Sequence, residues 1–358
     1  MRYRNLGSTG ITVSEISFGT IPILSGHIPV LPDYYNLDEK TAIQLMQSAF
    51  LLGCNLFDTA IVPEYGDAEI KLGKFAATLN RNKIIISDKA RCFDGNEIYQ
   101  AVKTSCQNLG TYADIYFAHQ VDEGNADLTF SNYGAVDALQ ELKAEGLIKF
   151  TGIASHYYDI LLRGAKDCRV DVLQGSGNIM EQGMLNRMKT EPLFLQKGFI
   201  LNKVYAAGIL PSFFPIQTLL SGVLSYPIST ALIGIGNEDQ LQQAMDIEPE
   251  LDKTPDFSYV MSVLEKYFTP IPCDRCQKCN CIYGIEIHIL FRQYNYYFLG
   301  KDYWALRKLD LSINENASLC RNCTDMPCLK QCPKGLNIPH IVQKIKELVE
   351  IHIRNSMI

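Results

Sequence analysis

An α/β fold is what this sequence predicts: a closed (β/α)₈ barrel of the TIM type, followed by a small helical module rich in cysteine. Three observations predict it. Short apolar, β-branched runs alternate eight times with longer amphipathic ones, acid–base residues fall at the ends of several of those runs, and eight of the twelve cysteines crowd between Cys273 and Cys332.

A chain of 358 residues has room for one large domain of roughly 250 residues and a small second one. With 47% hydrophobic and 20% charged residues, its composition is that of a protein with a sizeable core. The net charge of -6 offers no field for a phosphate backbone, and no Lys/Arg block is interleaved with aromatics, so nucleic acid is not an expected partner. No run approaches the roughly eighteen apolar residues of a membrane span, and Met1-Arg2-Tyr3-Arg4-Asn5 opens without an apolar stretch. A cytoplasmic protein without a membrane partner is therefore expected. Thiols stay reduced there, so twelve cysteines call for a reading other than disulfides. The scattered Cys54, Cys92, Cys106 and Cys168 read as core residues.

The strand candidates are 15–21, 55–59, 83–87, 113–118, 149–154, 170–174, 199–205 and 230–235. Between them, 38–52 repeats Ile43, Met46, Ala49 and Leu52 near helical spacing, and 136–145 runs as a helix up to Gly146. Eight parallel strands with covering helices close into a barrel whose working face is the rim at the strands' carboxyl ends. A doubly wound open sheet is the rival, but no Gly-x-Gly-x-x-Gly follows the first strand. Pro249, Pro255, Pro270 and Pro272 interrupt the pattern, which places the barrel at 1–257 and the tail domain at 258–358. In the tail, a tyrosine-rich segment covers 291–310, and 338–353 carries Ile341, Val342, Ile345, Leu348 and Val349 on one helical face.

Asp58 ends the second strand, Tyr65 lies in the loop beyond it, Lys89 follows the third strand and His119 the fourth. Taken singly, each reads as a cap or a solvated loop residue. Gathered on one rim they read as a catalytic set. A tyrosine, with its ordinary pKa near 10, donates a proton more readily beside a cation such as Lys89. Asp58 would keep that lysine charged, and the imidazole of His119 would hold a carbonyl oxygen.

Tyr3-Arg4-Asn5-Leu6-Gly7-Ser8-Thr9-Gly10, Phe57-Asp58-Thr59-Ala60, Tyr65-Gly66-Asp67-Ala68-Glu69 and Phe117-Ala118-His119-Gln120-Val121-Asp122 together resemble the aldo-keto reductase family over residues 1 to about 247. The resemblance implies a tetrad of Asp58, Tyr65, Lys89 and His119, with hydride transfer between NADPH or NADH and a carbonyl of a small-molecule substrate. It also implies a cofactor cradle of Gly19, Thr20, Asp58, Ser155, Gln174, Lys203, Gly234, Gly236, Asn237 and Gln240. Tyr65 stands seven residues after Asp58 where the family has five, which requires a bulge near Pro63-Glu64. Ser155-His156 replaces a common Ser-Asn, and Gln243-Ala244 a common Glu-Asn. Glu238 and Asp239 open the last helix without an arginine, so NADH against NADPH stays open.

In the tail, Cys273-x₂-Cys276-x₂-Cys279-x-Cys281 and Cys320-x₂-Cys323-x₄-Cys328-x₃-Cys332-Pro333 resemble the bacterial ferredoxin run, whose fourth cysteine reaches a second cluster. Cys281 and Cys332 also open matching segments, with Gly284 and Gly335, then Ile287 and Ile338, at equal offsets. This predicts a ferredoxin-like iron-sulfur domain with two [4Fe-4S] clusters. Cys273, Cys276, Cys279 and Cys332 would hold one, and Cys320, Cys323, Cys328 and Cys281 the other. Structural zinc is the alternative. The whole chain is similar to a branch of the aldo-keto reductases with such a tail.

The reading that follows is an oxidoreductase coupling hydride transfer to electron transfer through the clusters, with room for a redox partner protein. A hydride carries two electrons and a cluster one, so a flavin or the substrate would have to divide the pair, and no flavin motif is present. The alternative is a redox-responsive electron carrier or binding protein on the same scaffold. The loops at 22–35 and 175–197 would select the substrate, with Pro29, Leu31, Tyr34 and Tyr35 as an apolar lining.

Overall fold

Eight parallel strands close into a barrel in the computed structural model, which describes residues 1–26, 36–246, 255–300, 309 and 315–356. A hairpin of β1 (Tyr3–Asn5) and β2 (Thr12–Ser14) precedes it. The barrel strands are β3 (Ile16–Gly19), β4 (Leu56–Asp58), β5 (Ile85–Ala90), β6 (Ala113–His119), β7 (Ile148–Ala154), β8 (Val172–Ser176), β9 (Gly198–Asn202) and β10 (Thr230–Gly234). Each pairs in parallel with the next, and β10 pairs with β3 to close the ring. Around them run α1 (Glu39–Leu51), α2 (Ala68–Ala76), α3 (Gly95–Leu109), α4 (Ala126–Phe130), α5 (Ala135–Ala144), α6 (Tyr158–Lys166), α7 (Gln182–Lys189), α8 (Pro192–Gln196), α9 (Ile216–Leu224) and α10 (Glu238–Met245). Then follow α11 (Phe257–Leu264), α12 (Ile287–Gly300), α13 (Pro327–Gln331) and α14 (Ile338–Ser356).

The helices start where the sequence supplies caps. Asp38 accepts the Thr41 amide at 3.0 Å ahead of α1, and Asp94 accepts the Asn96 amide at 2.8 Å ahead of α3. Inside the barrel, Leu56, Ile115, Phe117, Val172, Ile200 and Leu232 pack into one apolar core. Leu6 and Val13 of the hairpin region join the same core. Gly152 of β7 makes room for Phe117 of β6, since a Cβ there would stand 2.2 Å from the ring.

The strands differ from the expected bounds by one to three residues. The largest shift is at β5, where 83–87 becomes Ile85–Ala90 because Arg81–Lys83 form a 3₁₀ turn capped by Asn80. Lys89 is therefore inside the third barrel strand rather than after it, and His119 is the last residue of the fourth. Pro29, Leu31, Tyr34 and Tyr35 lie outside the described residues.

Two units can be distinguished. The first comprises Met1–Asn178, Met188–Tyr205 and Pro215–Thr254; the second comprises Ile179–Arg187, Ala206–Phe214 and Pro255–Ile358. The second has its own apolar core of Ile271, Ile285, Leu290, Phe291, Val342 and Ile345, among others. Glu181 is buried in this unit, 2.7 Å from the Arg275 guanidinium and 3.2 Å from that of Arg292. Among the described residues no helix is long and apolar enough to cross a membrane.

The structure does not bear out the iron-sulfur expectation. Cys273, Cys276, Cys279, Cys281, Cys320, Cys323, Cys328 and Cys332 are all described as free thiols, and among the described residues no three His, Cys, Asp or Glu side chains form a group that could hold a metal ion. Cys273, Cys276, Cys279 and Cys332 do border one pocket with Ile287, Phe291 and Leu336, yet without such a group. Spacing along a chain sets only how far each thiol can reach, whereas a metal site needs several thiolates converging on one point. Six of the eight instead pack in or against the apolar core, where burial pushes the Cys279 and Cys320 thiols up to about 11 and raises Cys273 as well. The ferredoxin-like domain, the two [4Fe-4S] clusters, the zinc alternative and the cluster-bearing branch are withdrawn on this ground. The electron-transfer role and the electron-carrier alternative go with them.

Candidate active site

Asp58 closes β4 and is fully buried. The Lys89 ammonium, from β5, makes a short ion pair with its Oδ1. Its Oδ2 accepts from the Ser87 hydroxyl at 2.7 Å and from the Gln174 carboxamide at 3.0 Å. Lys89 also donates to the Thr59 carbonyl at 2.8 Å. The two residues inserted between Asp58 and Tyr65 are absorbed by a 3₁₀ turn, Pro63–Tyr65, ended by Gly66 at φ +52°. Glu64 in that turn is bound to Arg91 at 2.8 Å, which ties the turn to the chain just beyond β5. Tyr65 consequently returns to the lysine: the ammonium is 5.2 Å from its ring centroid and within hydrogen-bonding reach of the phenol.

Burial raises the Tyr65 phenol above its usual value, and the opposing pull of Lys89 does not reverse that. For Lys89, burial works against the charge, but Asp58 and then Tyr65 outweigh it and the ammonium is held above its usual value. His119 is pushed well below the ordinary imidazole range by burial first, then by Lys89, Arg91 and Lys203, so it is neutral at pH 7. The site thus holds a protonated phenol, a permanent ammonium and a neutral imidazole on the carboxyl-end rim.

The expected cofactor residues occupy the same rim. Gly19 ends β3 in register with Asp58, and Thr20 follows, donating its amide to the Asp58 carbonyl at 3.0 Å. The Ser155 hydroxyl donates to the Val121 carbonyl at 2.6 Å and accepts the Tyr157 amide at 3.1 Å. Lys203 follows β9 at φ +61°. Gly234 ends β10, and the Asn237 side chain caps α10 by accepting the Gln240 amide at 2.9 Å. The Gln240 side chain in turn accepts the Gly236 amide at 2.8 Å, so two donors of the expected anion site are already engaged within the chain.

Buried polar atoms in native proteins nearly always have partners. On this rim Thr20 Oγ1, Thr59 Oγ1, His119 Nδ1, Gln174 Oε1, Asn202 Oδ1 and the Tyr205 hydroxyl are buried with none among the described residues. Such a set fits a ligand with several hydrogen-bonding groups, as a nicotinamide nucleotide is. Sequence reasoning missed Thr59, Asn202 and Tyr205. Asn202, a carboxamide ending an apolar strand, carried the one signal that could have been read.

The aldo/keto reductase family profile matches residues 15–209. L-galactose dehydrogenase from Arabidopsis thaliana is 33% identical over 168 residues, 44% of this chain and 49% of the plant protein. The NADH-specific methylglyoxal reductase of Escherichia coli (strain K12) is 27% identical over 223 residues, 56% of this chain and 65% of the bacterial protein. The chain therefore spans about half to two thirds of the length of these curated relatives. Among solved structures, the aldo-keto reductase AKR11C1 from Bacillus halodurans superposes with a TM-score of 0.56 at 23% identity, over 74% of this chain and 96% of that one, a likeness of fold.

Proposed function

The chain belongs to the aldo/keto reductase family, and from that premise we propose that it is an NAD(P)H-dependent oxidoreductase that reduces the carbonyl group of a small molecule with Tyr65 as proton donor. The contact chain Asp58–Lys89–Tyr65, with His119 neutral on the same rim, carries this reading. Nothing in barrel packing requires a lysine buried between a carboxylate and a phenol, because burying charge is costly unless it is paired.

Bound NAD(P)H supplies the hydride. As the carbonyl oxygen gains negative charge, the phenol of Tyr65 gives up its proton to that oxygen, and the Lys89 ammonium stabilises the phenolate left behind. Asp58 keeps Lys89 charged and fixes its direction, with Ser87 and Gln174 holding the carboxylate in turn. His119, as a neutral imidazole, donates one hydrogen bond that aligns the carbonyl. Gln174 Oε1, Thr20 and Ser155 would hold the nicotinamide end, with Gly19 leaving room at the strand end. Lys203, Gly234, Gly236, Asn237 and Gln240 would receive the phosphates, the Gln240 side chain giving up the Gly236 amide to an anion. We place the reaction in the cytoplasm, where reduced nucleotides and reduced thiols coexist.

The test is turnover of methylglyoxal, a small dicarbonyl, with NADH and with NADPH, followed by nicotinamide absorbance. Tyr65→Phe is expected to lower kcat by about 10²–10⁴-fold while nucleotide affinity stays within about twofold of wild type, since the lost group acts only in the transition state. Unchanged turnover in the variant would assign the proton to another group, and failure of the wild type to bind either nucleotide would defeat the reading as a whole.

A further inference from the structure

Helix α2 turns an apolar residue outward and a lysine inward. Ile70 is 42% exposed, while Lys71, beside Ala68, Leu72 and Phe75 on the buried face, is 1% exposed. Charge is costly to bury unless it is paired and hydrogen-bonded, and here the ammonium is fully engaged. It donates to the Ile23 carbonyl at 2.7 Å, the Ser25 hydroxyl at 2.7 Å and the Leu37 carbonyl at 2.6 Å, and it pairs with Asp67 at 3.2 Å. The Asp67 carboxylate in turn accepts the Ser25 amide at 2.7 Å. Burial works against that carboxylate, but Ser25 and then Lys71 outweigh it and hold the group below its ordinary value.

These bonds gather both sides of the loop that follows β3. Leu37 donates its amide to the Leu24 carbonyl at 2.9 Å, and Asn36 Oδ1 accepts the Gly26 amide at 2.9 Å, so the chain leaving the rim at Ser25 returns beside itself. The start of the loop is anchored without Lys71. Thr20 donates its amide to the Asp58 carbonyl, Ile23 donates its amide to the Thr20 carbonyl, each at 3.0 Å, and Pro22 lies against Gly234, where a Cβ would stand 2.9 Å from its Cγ. Ser25 is exposed and Leu37 half-buried, so water could serve their polar groups, and stability alone does not call for a buried lysine there.

What the fastened segment touches is the turn that carries the phenol. Leu24 is fully buried and lies against Gly66: a Cβ on that glycine would stand 3.4 Å from the Cβ of Leu24. Gly66 directly follows Tyr65 and ends its 3₁₀ turn at φ +52°. A second tie on the turn, Glu64 to Arg91 at 2.8 Å, is partly exposed, and such pairs contribute little. We propose that Lys71 is a positioning residue for Tyr65: with Asp67 it fastens Leu24 and Ser25 to α2, so that Leu24 backs Gly66 and the phenol is held beside Lys89. The proposal rests on the reading of Tyr65 as proton donor and adds a residue outside the tetrad that governs its placement.

Lys71→Met keeps the apolar stem and removes the ammonium. In this variant the amides of Tyr65 and Gly66, bonded to the Val62 and Pro63 carbonyls, should exchange with deuterated solvent about tenfold faster, as local opening does when a tie is lost. Amides of Lys89 and Ala118 in the barrel strands should keep the wild-type rate. For methylglyoxal, kcat should fall by about 10–10²-fold, the scale of a small displacement of a reacting group, and its solvent isotope effect should rise as proton transfer slows. Nucleotide Kd should stay within about twofold, since the lost contact serves the transition state. Ser25→Ala, at an exposed residue, removes one of the three acceptors without endangering the fold; exchange and kcat should move the same way by about two- to tenfold, the worth of one hydrogen bond. Should Lys71→Met not fold, Ser25→Ala decides. Unchanged exchange at Tyr65 and Gly66 overturns the proposal, as does a loss of nucleotide affinity equal to the loss of kcat, which would make Lys71 a general support of the rim. If the wild type turns over no methylglyoxal with either nucleotide, the reductase reading fails, and the exchange rates alone decide whether Lys71 holds the turn.

Discussion

At Lys89 the structural and chemical demands on one residue can be told apart. Its ammonium has three donors and meets three acceptors, namely the Asp58 carboxylate, the Thr59 carbonyl and the Tyr65 phenol. Lys89→Met would leave the fully buried Asp58 carboxylate without its counter-ion, so stability should fall by about 3–5 kcal/mol and turnover should vanish. Adding Asp58→Asn removes the stranded charge. The double variant should recover most of the stability in denaturant unfolding and none of the turnover. Recovery of both would mean the lysine serves the fold alone. The letters of this set were legible in the sequence because polar residues at the ends of apolar runs stand out. Their acidity was not: reasoning from neighbours expects Lys89 to lower the Tyr65 phenol, whereas burial outweighs the lysine and raises it. Burial is a property of the closed barrel, as is the missing partner that marks Thr59, Asn202 and Tyr205.

Among the elements, most barrel strands were legible because they are runs of apolar residues buried on both faces, and such runs announce themselves wherever they repeat; β5, with Ser87, Asp88 and Lys89, is an exception. The hairpin at Tyr3–Asn5 and Thr12–Ser14 was not, since three residues per strand are too few to display a period. Bounds slipped where local caps compete with strand propensity, as at Asn80 and Arg81–Lys83 before β5. What no pattern reveals is the fit between neighbouring strands. Gly152 sits in β7 beside Phe117 of β6, in register with it. Gly152→Ala would drive a methyl to within 2.2 Å of the ring, a separation that requires Phe117 to move. Overpacking of this kind costs about 1–3 kcal/mol. The expected result is a lower unfolding midpoint that a second change, Phe117→Leu, partly restores; an unchanged midpoint would show that the ring moves freely.

For the molecule as a whole, the least legible part was the second unit, because its cysteine spacing suggested one organising principle and its interior uses others. A boundary near 258 also assigns Glu181 to the barrel by sequence order, whereas residues Ile179–Arg187 belong to the second unit's contacts. There Glu181 is 2% exposed between Arg275 and Arg292. Burial works against its charge, but the two guanidiniums prevail and hold the carboxyl below its ordinary value of 4.5. The sign follows: a carboxylate whose folded pKa is depressed contributes its full stability above about 4.5 and loses it as pH falls through the folded value. Glu181→Gln removes the carboxylate set between the two arginines, so at pH 7 the variant should unfold about 3–5 kcal/mol more easily. It should also lose the part of the acid sensitivity that Glu181 supplies, so that the gap to wild type narrows as pH drops below 4.5. Eight of the twelve cysteines lie between Cys273 and Cys332, so the rate of thiol labelling in denaturant reports on this unit directly. A gap that stays constant from pH 7 to pH 4 would show that the carboxylate's charge contributes nothing there and that Glu181 acts through packing alone.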